Sequence, residues 1–92
     1  METLLVFLKV NIGISQDTTA YDTRLESMIN QAIQEITQMG ITYDATSALD
    51  NGIVVEYATW LWMRRRTGEG MPRMLRLDLN NRLFAEKMHV EG

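Results

Sequence analysis

The sequence predicts an all-α protein, a compact bundle of about four helices with short loops. Its expected parts are a short N-terminal helix, a long amphipathic helix, a central apolar helix and a C-terminal helix. Three observations carry this. Leu25, Met28, Ile29, Ala32, Ile33, Ile36 and Met39 recur at spacings of three and four, the template of an amphipathic helix. The run from Ser47 to Thr67 is largely apolar in its middle and long enough for a helix of about 30 Å. Gly13, Gly40, Gly68, Gly70 and Pro72 punctuate the boundaries between such stretches. Ninety-two residues leave room for one modest core, so 1–92 is read as a single helical domain.

Taken in order, Thr3 to Val10 forms a short first helix with Leu4, Leu5, Phe7 and Leu8 as its apolar side. Gly13 and the polar run Ser15 to Thr19 end it in a turn or extended link. Thr19 and Asp22 have the spacing of a capping box, with aspartate in place of glutamate, and open the second helix, about Ala20 to Met39. Gly40 supplies its left-handed stop. The polar face of this helix is neutral: Ser27, Asn30, Gln31, Gln34, Thr37 and Gln38. It reads either as a plain solvent face or as a wet protein contact or lumen wall, where amides avoid the desolvation cost of charge.

Asp44, Thr46 and Ser47 all qualify as N-cap of the central helix, and the sequence does not choose among them. That helix ends at Arg64-Arg65-Arg66, where cations suit the negative end of the dipole. Pro72 fits the first turn of a last helix that runs to about Met88.

Two of these helices are apolar on two sides. In the central one, Ile53, Val54, Tyr57, Ala58, Trp60 and Leu61 share one arc, while Val55, Thr59 and Trp62 lie opposite, in line with Arg66. In the last one, Leu75, Leu79 and Leu83 form one stripe and Met74, Leu77, Phe84 and Met88 another. Arg73, Arg76 and Lys87 run along a margin between them. So few elements cannot cover every stripe, and self-association is the economical outcome.

The charge is divided along the chain. Met1 to Met63 holds two basic residues against eight acidic ones, a net −6, and Arg64 to Gly92 holds seven against four, a net +3. A basic end suits nucleic acid or an acidic protein surface, including another copy of the chain. The absence of cysteine rules out a disulfide framework or a thiolate zinc site and fits an intracellular history. LLVFLKV is too short to span a bilayer and makes a poor signal peptide, so the protein is expected to be soluble, without a membrane partner and not exported by that route. His89, the one histidine, lies near the end of the chain, and the carboxylates are scattered. No catalytic residue, cofactor site or metal site is expected. Arg66-Thr67-Gly68-Glu69-Gly70 lacks the Walker pattern and reads as a helix-to-helix turn. The seven methionines read as core filler, with Met63, Met71 and Met74 also placed to give an adaptable contact surface.

Two stretches together resemble a known family. LKVNIGIS, a short acidic-polar link and YDTRLESMINQAIQEI, with Asp22 and Leu25 heading the long helix, look like the opening of the small phage head–tail connector proteins. YATWLWMRRRTGEGMPRMLRLDLNNRLFAEKM, Tyr57 to Met88, is similar to their closing half. The basic triplet is heavier than that family's usual pattern.

The resemblance implies a non-catalytic virion structural protein, found in the host cytoplasm before assembly and in the virion neck afterwards. It implies a ring of about twelve copies below the portal protein, which extends the DNA channel, touches its DNA non-specifically and docks the tail-side connector proteins. The residues expected at subunit or partner contacts are Val55, Trp62, Arg64, Arg65, Arg66, Arg73, Arg76, Leu77 and Phe84. The competing reading is a small helical DNA-binding or regulatory protein that uses Arg64, Arg65, Arg66, Arg73 and Arg76.

Overall fold

The computed structural model describes residues 2–68 and 70–91, excluding the side chains of Glu2, Arg65, Arg66, Thr67, His89, Val90 and Glu91. Four helices follow one another: α1 (Glu2–Ile12), α2 (Asp22–Gln38), α3 (Ala48–Thr67) and α4 (Arg73–Glu91). Among the described residues all regular structure is helical. α3 is the hub, packed against α1, α2 and α4, while α1 and α2 also touch each other.

The core follows the sequence periodicity. Leu4 and Leu8 come from α1; Leu25, Ile29, Ala32 and Ile36 from α2. α3 contributes Ile53, Val54, Val55, Tyr57, Ala58 and Leu61, and α4 adds Leu75 and Leu79. The predicted apolar side of α1 holds for Leu4 and Leu8, with Leu5 half-buried, but Phe7 points outward.

The ends of the helices are set by local chemistry. α1 and α2 each close with a Schellman turn at a glycine of positive φ, Gly13 and Gly40. At the first, Ile14 N–H reaches Lys9 O at 2.9 Å; at the second, Ile41 N–H reaches Ile36 O at 3.2 Å and Ile41 is buried. For α3 the structure chooses Ser47, whose Oγ accepts from Asp50 N–H at 3.2 Å. Asp44 instead folds its own turn, accepting from Thr46 N–H and Oγ1–H, which hold its carboxyl below the usual carboxylate range. Pro72 lies just before α4 rather than inside it, its carbonyl accepting from Arg76 N–H at 3.1 Å.

The expected capping box at Thr19 does not form. α2 begins after Tyr21 with no side-chain cap, and the Asp22 carboxylate turns to Lys9 at 2.7 Å instead. The Lys9 ammonium is buried and also donates to Thr18 O and Gln16 O. Three acceptors match its three N–H groups, and the α1–α2 loop is thereby wrapped around one nitrogen.

Candidate interaction surfaces

α4 lies along the bundle with Leu75 and Leu79 buried and Leu83 half-buried beneath it. Its inward stripe also holds a charge, Arg82, whose side chain is only 13 % exposed. Nε donates to Asp50 Oδ1 at 2.7 Å, Nη2 to Thr42 O at 2.8 Å and Asp50 Oδ2 at 3.3 Å, and Nη1 to Glu86 Oε2 at 2.8 Å. Thr42 Oγ1 donates to the other Glu86 oxygen at 2.7 Å. These bonds, Thr42 first and then Arg82, hold the Glu86 carboxyl below its ordinary range. The junction ties α4 to the first turn of α3 and to the α2–α3 loop. The composition of the inward stripe is the sequence signal for it: a charge at the spacing of Leu75 and Leu79 must be paired if it is to be buried.

The opposite side of α4 is open. Met74 is 67 % exposed, Leu77 43 %, Phe84 66 % and Met88 57 %, along one face of the helix. Arg73, Arg76 and Lys87 are exposed on its margin, as the sequence predicts. Between the N-terminal half of α4 and the end of α3 lies a cleft of about 410 Å³, lined by Trp60, Met63, Met74 and Leu75. Glu56 and Asp78 stand at its edge. Burial, then a hydrogen bond with Asp78 and repulsion from it, push the Glu56 carboxyl above the ordinary range.

The nine expected contact residues divide. Leu77, Phe84, Arg73 and Arg76 share α4 and are exposed. Arg64, also exposed, lies 4.8 Å over the Trp60 ring as a cation–π pair. Trp62 is half-buried, edge-on to Tyr21 at 5.7 Å between centroids. Val55 is 5 % exposed: the second apolar side of α3 is closed by α1 within the single chain and offers a neighbour almost nothing. The side chains of Arg65 and Arg66, like that of His89, lie outside the described residues.

One surface is absent from the sequence reading. Val6, Phe7 and Val10 on α1 and Leu49 at the start of α3 are exposed large apolar residues, and Phe7 and Val10 border a second cleft with Ala48, Gly52 and Val55. Periodicity alone does not reveal it, since a helix as apolar as α1 gives no clear polar side. The neutral face of α2, from Ser27 to Gln38, is exposed throughout its six named residues.

Among the described residues no group of three or more His, Cys, Asp or Glu side chains is placed to hold a metal ion. No helix among them is long and apolar enough to cross a membrane. The sequence profile of a family described as phage connector protein matches residues 4–67, which takes in α1 to α3. No curated protein and no solved structure matches the chain.

Proposed function

The chain belongs to the phage connector family, and on that premise we propose that it is a structural, non-catalytic protein of the head–tail connector in the virion neck. Its copies form a ring that links portal to tail and prolongs the DNA channel. The observation that carries this reading is the family match over most of the bundle. The surfaces support it physically. A ring needs two unlike faces per subunit that meet head to tail. The exposed α1 patch around Phe7 and Val10 and the exposed α4 face around Leu77 and Phe84 are two such faces. The net −6 of residues 1–63 against the +3 of residues 64–92 favours the same head-to-tail order. Arg73 and Arg76 are the cations offered to an acidic neighbour or to channel phosphates.

Negative-stain imaging of the protein mixed with its portal tests this. Annular particles on the portal are expected, and Phe7→Asp and Phe84→Asp should each abolish them while the chain keeps its helical circular dichroism. Portals that stay bare with the wild-type chain would refute the reading. A gel shift against duplex DNA separates it from the regulator alternative: weak binding erased by moderate salt is expected, and sequence-selective binding would favour a regulator.

A further inference from the structure

The open side of α4 is more regular than a random greasy patch. Met74, Leu77, Asn81, Phe84 and Met88 follow one another at steps of three, four, three and four. That is an uninterrupted heptad seam, with an amide where a third core position on the same sub-register would otherwise be apolar. All five residues are exposed. The seam runs about 21 Å along a helix that its own bundle already holds rigid, so the ordering cost that defeats short free coiled coils has largely been met beforehand.

The geometry points to a second copy of this chain as the occupant: in the free protein, two α4 helices pair in parallel along this seam, with Asn81 against Asn81 of the partner. Two features of the seam select that partner and that direction. An asparagine amide carries donors and an acceptor and can satisfy an identical amide across a two-fold axis, which is how a lone polar core position fixes register. The flanks agree. Arg73 precedes the seam on one edge and Asp78 lies on the other edge, five residues further on. In a parallel pair, edge residues five apart on the two chains are neighbours, so Arg73 of each copy meets the carboxylate of the other. That carboxylate already faces Glu56, and an arriving guanidinium relieves both. In an antiparallel pair like edges meet instead, and Arg73 would confront Lys87.

This deepens the connector reading, since the seam uses the same α4 face as the ring. A two-fold pair and a head-to-tail ring then compete for it. The free dimer keeps the face covered until a portal template favours the ring.

The chain has no cysteine, which makes the test clean. Sedimentation equilibrium of the full chain without portal should give a reversible dimer. Phe84→Asp should weaken it by at least about tenfold. Under mild oxidation Met74→Cys alone should give a covalent dimer. Asn81→Leu should stay dimeric but lose its single direction, so that Met74→Cys placed in that background also cross-links to a Met88→Cys chain. A monomer at high concentration, a dimer indifferent to Phe84→Asp, or cross-linking only between mixed Met74→Cys and Met88→Cys chains would each overturn the proposal. Free rings would overturn it too, yet would support the connector reading. Bare portals beside an intact free dimer would do the reverse.

Discussion

α3 and α4 raise the same question in sequence, because each is apolar on two sides, and the fold answers it in opposite ways. The second side of α3, at Val55, is closed by α1 and belongs to the core. The second side of α4, from Met74 to Met88, faces outward, for no further helix among the described residues covers it. A doubled stripe therefore marks a helix that needs two neighbours and says nothing of whether both come from the same chain. What decides is the number of spare elements, and here α1 is the one spare.

The sharpest way to break this contrast is to place the same charge on both second sides. Val55→Asp buries a carboxylate among apolar side chains and should prevent cooperative folding or cost more than about 4 kcal/mol. Phe84→Asp should shift the thermal midpoint of the isolated subunit very little; equal losses in the two melts would dissolve the distinction. Next comes the junction that seats α4. Asp50→Ala takes the most buried anion from the Arg82 guanidinium, leaving it Glu86 and the Thr42 carbonyl in a largely buried site, and should cost roughly 3–5 kcal/mol in urea unfolding. A loss below about 1 kcal/mol would mean that the guanidinium escapes to water.

The two stripes of α4 can also be compared by truncation. Leu79→Ala should cost about 2–5 kcal/mol and Leu77→Ala within about 0.5 kcal/mol, measured below the dimer dissociation constant. The smallest effect belongs to the edge of the cleft. The Glu56 carboxyl is raised by burial and then by Asp78. What it contributes to stability is therefore present below its unfolded pKa and lost as pH rises through the folded value. Glu56→Gln should thus stabilise at neutral pH, by less than about 0.5 kcal/mol, and make no difference near pH 3. Urea midpoints at the two values check the sign.

The helices were legible because their ends are written locally. Ser47 with Asp50, and Gly40 with Ile41, are contacts within a few residues of each other. The failures are all non-local. Asp22 leaves the predicted box because Lys9, thirteen positions away, needs an anion more than the α2 N-terminus needs a cap. Phe7 faces outward and Val55 inward because of which side of each helix is turned to the other where α1 packs on α3, which periodicity in either helix cannot supply. Arg82 is singled out by no motif in the sequence, though its place between Leu79 and Leu83 marks it for burial.

That arginine has a geometric consequence. Four hydrogen bonds from one guanidinium reach α3, the α2–α3 loop and the next turn of α4 itself. With Leu75 and Leu79 buried beneath the same helix, this residue helps to hold the inclination of the last helix relative to the rest of the molecule. In a closed assembly each joint repeats the error of every other, and a rotation that misses closure winds into an open spiral. The bond set at Arg82 is in that sense the subunit's set-square: if copies close into the proposed ring, the tilt it helps to hold is repeated at every joint.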